Sequence, residues 1–286
     1  MINEMLILTF DIEEWFHILD NPSTRLENNW GNYESRIHIN VDRILELLQE
    51  KNQPATFFCL GWIAKKYPEV IKKINNCGYE IGSHSNAHKL IFEQSRSEYQ
   101  NDLQYSIRIL EDLTGKKIKY YRSPGFSIRE DTKWAFEILV KEGIEVDSSI
   151  FPIKRAHGGF PTISQSEPFL INYNGVQMKE FPLNIYRSFG KNFVFSGGGY
   201  FRLIPYWLIK YWTIKSNYIM SYFHPRDFDK TQPMIKELNS LRKFKSYYGL
   251  ESSFSKLNNW ISDFKFINIG LANKIIDWDI VPVIKV

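Results

Sequence analysis

The chain has 286 residues, 43% of them apolar and 24% charged, which excludes a disordered or fibrous protein. Its 36 Lys and Arg against 32 Asp and Glu leave a net charge of +4, too mild to imply a nucleic-acid partner. Cys59 and Cys77 are too few for a disulfide scaffold, and Met1 to Phe10 carries Glu4 where a signal peptide would be basic. With no apolar run of about 20 residues, the expectation is a soluble, cytoplasmic protein of one domain.

In chain order, Met5 to Phe10 reads as a buried strand ending in acids. Val41, Ile44, Leu45 and Leu48 fall at helical spacing, and Ala55 to Leu60 is a second apolar strand. Ile63 to Asn76 reads as one helix with Gly78 as its C-cap, followed by a strand over Tyr79 to Ser83. A helix over Ser97 to Leu113, a strand at Tyr120 to Arg122, a helix over Thr132 to Glu142 and a strand at Glu145 to Ser149 continue the alternation. Amphipathic helices between fully apolar strands imply a parallel sheet, and at this length an α/β barrel is the natural closure. Beyond Phe151 the rhythm changes. Asn174-Gly175 turns a hairpin of Phe169 to Tyr173 and Val176 to Pro182. An aromatic helix over Leu203 to Lys215 precedes a strand at Tyr218 to Phe223, and helices are expected at Pro233 to Phe244 and Phe254 to Phe264.

Polar residues gather where these strands end. Asp11 and Glu13 share one face of an extended chain while Ile12 points away, a pairing that favours Glu13 over Glu14 as its second acid. In isolation the acids would read as a solvated turn. His84 and His88 lie one helical turn apart, so both imidazoles can reach one metal. Arg122, Asp147 and His224 close three further strands; each alone would be unremarkable, but five such ends together describe the catalytic rim of an α/β barrel.

The motifs TFDIE (9–13), HSNAH (84–88), RSPGF (122–126), DSS (147–149) and YFHP (222–225) stand in the order found in polysaccharide deacetylases, the carbohydrate esterases that share the NodB homology domain. The chain resembles that family over about residues 5–230, with a helical extension expected over about 231–286. GGGYFRLIPYW (197–207) resembles the branch associated with surface-polysaccharide biosynthesis. The resemblance implies a distorted (β/α)7, TIM-like barrel with one divalent metal, usually zinc. It implies Glu13, His84 and His88 as ligands, Asp11 as general base, Arg122 orienting Asp11, His224 as general acid and Asp147 supporting His224. Many members have two adjacent aspartates in the first motif. Here the second acid is Glu13, one methylene longer and two residues on, which leaves metal identity and the choice between Glu13 and Glu14 open. The implied reaction removes acetyl from an N-acetylated sugar, with Asp11 taking the proton of a water and His224 protonating the departing amine.

Pro124 and Gly125 belong to a turn whose backbone N–H groups could meet an oxyanion or substrate. Arg155 and His157, in a Gly/Pro-rich loop, are candidates to contact the sugar, and Trp15 opens a stretch that reads either as a sugar-stacking lid or as surface filler. Gly197 to Gly199 lack a following Lys-Ser/Thr, so a tight turn or close substrate approach is favoured over a phosphate loop. The helix at Leu203 to Lys215 could touch a membrane surface, although any barrel helix needs an apolar face. The competing functions are deformylation or O-deacetylation at the same site, and a carbohydrate-binding barrel without catalysis. Oligomeric state is not legible.

Overall fold

The computed structural model describes residues 5–19, 21–154, 157–188 and 190–286. Chain contacts divide it into two units, Met1–Ala55 with Tyr186–Ile267, and Thr56–Ile185 with Asn268–Val286. Among the described residues no helix is long and apolar enough to cross a membrane.

In the first unit, the strand Met5–Ile7 pairs in parallel with Tyr218–Met220. Leu8 interrupts the single strand expected from sequence, and Thr9–Ile12 resumes it, with Phe10 bridged in parallel to Phe223. This register brings the acidic end of the first strand beside the segment that carries His224. Its longer helices are Ile37–Glu50, Gly198–Leu203, Tyr206–Ile214, Ser240–Tyr247 and Leu250–Asp263. Its core is aromatic: Phe201 and Phe223 meet edge to face at 4.9 Å, and Trp260 packs on both. The Trp260 indole N–H is satisfied by Thr213 Oγ1 at 2.8 Å, so the ring is buried without an orphan donor.

The second unit is built on a sheet that runs Val283–Lys285, Phe169–Tyr173, Val176–Glu180, Val146–Asp147, Tyr120–Tyr121, Glu80–Ser83 and Thr56–Cys59. Its neighbours are parallel except for the hairpin of Phe169–Tyr173 with Val176–Glu180. Asn174 (φ 51°) and Gly175 (φ 84°) turn that hairpin as the Asn-Gly signal predicts. Because Glu80–Ser83, Tyr120–Tyr121 and Val146–Asp147 run the same way, their C-terminal ends deliver His84, Arg122 and Asp147 to one edge.

Prolines account for two departures from the expected helices. Helix 63–76 is two helices, Gly61–Lys66 and Pro68–Asn76, because Pro68 lacks an N–H and pushes Tyr67 out of the helical region (φ −134°, ψ 62°). Pro205 likewise separates Gly198–Leu203 from Tyr206–Ile214. The helix expected at 233–244 is instead Ser240–Tyr247, started where the Asn239 side chain accepts from the Arg242 N–H. Nor is the end of the chain only helical. After the helix Ile269–Ile275, Val283–Lys285 adds a parallel strand beside Phe169–Tyr173.

Candidate functional site

In the first unit Asp11, Glu13 and His224 come together. His224 follows the strand Tyr218–Met220 and opens a 3-10 turn, Pro225–Phe228, in which Pro225 stands at the first position. Three residues on, Asp227 accepts from the His224 backbone N–H at 2.9 Å and lies 3.1 Å from Nδ1 of the ring. A carboxylate only accepts, so Nδ1 carries the proton. The opposite nitrogen, Nε2, faces Glu13 Oε1 at 3.6 Å and Asp11 Oδ2 at 3.8 Å. Burial would lower the His224 pKa, but Glu13, Asp227 and Asp11 outweigh it and raise the group to about 9.

Asp227 is itself held by the buried Arg202, whose Nε lies 3.2 Å from Asp227 Oδ1. Burial works against the Asp227 carboxylate, yet His224 and Arg202 keep its pKa below the ordinary value. The support for His224 that was expected of Asp147 therefore comes from Asp227. Asp227 had a local signal, an acid three residues after a residue followed by proline, as in a capped turn. Arg202 had none, since its contact with Asp227 joins segments 25 positions apart.

Glu14 is engaged at a helix start. Its carboxylate accepts from Ser35 Oγ at 2.5 Å, the Arg36 N–H at 3.0 Å and the Ile37 N–H at 3.2 Å, at the start of the helix Ile37–Glu50. It caps orphan donors of that helix, where a negative group is favoured by the helix dipole. Trp15, expected as a sugar-stacking residue, is a correction: it is buried, its indole N–H donates to the Glu34 carbonyl at 2.8 Å, and its ring meets Phe16 and Tyr33 edge to face. The Gly197 backbone approaches the chain itself, bridging to Tyr222 so tightly that a Cβ would lie 1.9 Å from the Tyr222 carbonyl oxygen.

In the second unit His84 and His88 meet, their buried rings 5.4 Å apart between centroids. The segment between them is a loop and not the helical turn that their spacing suggested, with Ser85 (φ 67°) and His88 (φ 52°) in left-handed conformations. Asp102 braces it by accepting from the Asn86 and Ala87 N–H groups at 2.8 and 3.0 Å, and Ser85 Oγ accepts from the His88 N–H at 3.2 Å. His84 Nδ1 lies 2.8 Å from the Arg122 carbonyl oxygen. A carbonyl accepts only, which puts the proton on Nδ1 and leaves Nε2 as the basic nitrogen. Metal-ligating histidines are commonly oriented in this way.

Arg122 is fully buried; its Nε donates to the Ser148 carbonyl at 3.2 Å and Nη2 to Ser148 Oγ at 3.0 Å, with the guanidinium 4.4 Å from the Phe58 ring centre. Ser149 Oγ donates to Asp147 Oδ1 at 2.6 Å and accepts from the Ser123 N–H at 2.8 Å. The DSS motif thus fastens the ends of two neighbouring strands. Asp147 pairs in register with Glu180, a buried acid that the motifs did not mark. Burial pushes the Asp147 carboxyl up to about 6, and burial followed by repulsion from Asp147 pushes Glu180 well above the carboxylate range. Two buried carboxyls this close share a proton.

Pro124 is buried and Gly125 half-buried in a 3-10 turn directly after Arg122 and Ser123, with Gly125 at φ 61°. The loop holding His157 packs on this turn: Gly159 N–H donates to the Phe126 carbonyl at 3.0 Å, and a Cβ on Gly158 would fall 2.0 Å from the same oxygen. Arg155 lies outside the described residues. Cys59 is core and Cys77 ends the helix Pro68–Asn76, as their sequence contexts suggested.

One carboxylate and two imidazoles, each buried and each offering a ligand atom, are available in Glu13, His84 and His88. Carboxylate and imidazole are the N/O donor types that suit a divalent ion of the zinc type.

The comparisons with known proteins agree with the motifs. Residues 4–142 match the family model described as Polysaccharide deacetylase, and residues 148–272 match one described as Domain of unknown function (DUF3473). The chain carries a polysaccharide deacetylase domain of the NodB homology type. It is similar to a peptidoglycan-N-acetylglucosamine deacetylase of Bacillus cereus, with 38% identity over 96 residues. That match covers 33% of this chain and 35% of the relative, so the chain spans about a third of the length of that curated protein. Among solved structures it is similar to a Mycobacterium smegmatis protein assigned to the polysaccharide deacetylases, at 18% identity and a TM-score of 0.61 over 94% of this chain and 88% of the other. It is also similar to a mutant of a Bacillus anthracis carbohydrate esterase family 4 pseudoenzyme with restored enzymatic activity, at 18% identity and a TM-score of 0.50 over 94% and 67%. These likenesses show the fold, the α/β fold of the family that was expected as a distorted (β/α)7 barrel.

Proposed function

We propose that the chain is a metal-dependent hydrolase that removes the N-acetyl group from an N-acetylated sugar in a polysaccharide or a nucleotide- or lipid-linked precursor. Glu13, His84 and His88 hold one divalent ion, with zinc as the first choice. The observation that carries this reading is the pair of buried imidazoles at 5.4 Å, with His84 Nδ1 committed to a carbonyl and Nε2 left basic. A bound ion would supply Lewis acidity, lowering the pKa of a water and polarising the amide carbonyl.

The protein's own groups do the rest. His224 in its imidazolium form holds the Nδ1 proton toward Asp227, presents Nε2–H to Asp11 and Glu13, and delivers the Nε2 proton to the departing amine, becoming neutral. Asp11 accepts the proton of the attacking water, and Arg122, itself locked by Ser148, is assigned the role of orienting it. The Arg122 and Ser123 N–H groups are committed to the Ser83 carbonyl and Ser149 Oγ and Pro124 has none, so the Gly125 N–H is the backbone donor of this turn assigned to the developing oxyanion. The resemblance of GGGYFRLIPYW to the surface-polysaccharide branch supports a precursor of such a polymer as substrate, and the name of the Bacillus cereus relative supports N-acetylglucosamine as the first sugar to try.

Replacing His84 or His88 with Ala is expected to remove metal and activity together. Asp11→Asn and His224→Ala should retain metal and fold while slowing turnover by about 10²–10⁴, the usual worth of a positioned acid or base. Metal content, circular dichroism and initial rates on each variant make the comparison. Loss of metal from His224→Ala, or normal turnover by Asp11→Asn, would contradict the assignment.

A further inference from the structure

The helix Tyr206–Ile214 is apolar on two faces. Ile209 and Trp212 are buried in the first unit, whereas Trp207 (70% exposed), Tyr211 and Ile214 stand open to solvent at i, i+4 and i+7, with Tyr200 and Leu203 exposed on the preceding helix. A packing helix needs only one apolar stripe, so the outer one is unexplained by the fold.

A second stripe lies on Ser240–Tyr247, a helix with no buried residue, which exposes Leu241 and Phe244, followed by Tyr248. The two segments are fastened together: Arg202 Nη1 donates to the Ser246 carbonyl at 2.7 Å and Nη2 to the Lys245 carbonyl at 3.0 Å. Their charge is one-sided. Residues 197–217 and 239–250 contain Arg202, Lys210, Lys215, Arg242, Lys243 and Lys245 and no Asp or Glu. Arg202 is buried against Asp227, and Lys210 pairs with Asp263 of a neighbouring helix at 2.9 Å. Lys215 and Lys245 are exposed, while Arg242 and Lys243 are half-buried.

We propose that these helices form an interfacial surface that docks on an anionic lipid bilayer. Trp and Tyr favour the headgroup boundary, Leu, Ile and Phe insert beyond it, and the lysines extend to anionic headgroups. Charge selects this occupant. A second copy docked through the same isologous face would set these cations against their own images, whereas anionic headgroups neutralise them. The surface is independent of the deacetylase chemistry, and it would let an enzyme in solution work on sugars held at a membrane.

The test is co-sedimentation of the full chain with vesicles of phosphatidylcholine alone or mixed with phosphatidylglycerol. Binding is expected to the mixed vesicles and to be lost on raising salt from about 0.1 M to about 1 M, where the Debye length falls to about 3 Å. Trp207→Ser with Tyr211→Ser should cut the partition by about tenfold or more, as should Lys243→Glu with Lys245→Glu, with unchanged circular dichroism and unchanged turnover of soluble substrate. Failure to pellet with the mixed vesicles, or pelleting that both double variants leave intact, would overturn the proposal. A lipid-free dimer abolished by the aromatic variant would assign the surface to a second copy instead.

Discussion

His224 faces three carboxylates, and only Asp227 is within hydrogen-bonding distance. The ring is therefore held in one tautomer and its charged form is favoured, with a pKa raised from 6.5 to about 9. A raised pKa means that the folded state holds the proton more tightly. The stabilisation is complete below the ordinary value near 6.5 and is lost as pH rises through about 9. In protein stripped of metal, Asp227→Asn should lower the His224 pKa, and the part of its stability penalty carried by His224 should be full below pH 6.5 and fade toward pH 9, leaving the part from the lost Arg202 pair. NMR titration of the imidazole with parallel denaturation curves measures both. An unmoved titration would mean that Glu13 and Asp11 alone set the charge.

Sequence reading found the two histidines of the second unit and the Asp11–Glu13–His224 set of the first through strand-end motifs. It missed Glu180, which reaches Asp147 only through strand pairing, and Arg202, which reaches Asp227 across the packed core. It also took Trp15 for an exposed residue, because local polarity after it masks a ring buried against Phe16 and Tyr33.

Elements were most legible where local chemistry decides them. The Ser95 capping box begins the helix Arg96–Thr114 and Gly115 (φ 67°) ends it, close to the expected 97–113. Pairing of distant segments was not legible. Nothing local announces that Val283–Lys285 joins the sheet or that the helix Ile269–Ile275 starts against Glu80. That start is tight: Glu80 Oε1 accepts from the Gly270 N–H at 3.0 Å and from Thr56 Oγ1 at 2.5 Å, and a Cβ at Gly270 would lie 2.1 Å from Glu80 Oε2. Gly270→Ala should consequently destabilise the protein by about 1–3 kcal/mol, the usual cost of overpacking a filled site. Denaturant unfolding measures it, and an unchanged midpoint would show that the Glu80 carboxylate can move aside without loss.

At the scale of the whole molecule, alternation of strand and helix in the first half announced an α/β chain, and the strand-end motifs pointed to the polysaccharide deacetylase domain matched over residues 4–142. The second half was harder to read because caps and prolines set its helix starts more than apolar periodicity does, as the helix Ser240–Tyr247, started at the Asn239 cap, illustrates. The proposed function has a divalent ion held by Glu13, His84 and His88 serving the removal of acetyl from an N-acetylated sugar. Its most direct test is acetate release from N-acetylglucosamine oligosaccharides and N-acetylated nucleotide sugars, measured on chelator-stripped protein before and after adding back zinc. Acetate should appear only after reconstitution, at one ion per chain, and not in His84→Ala. Equal release by the stripped protein would contradict the account, as would no release from any N-acetylated substrate by a chain carrying its full complement of metal.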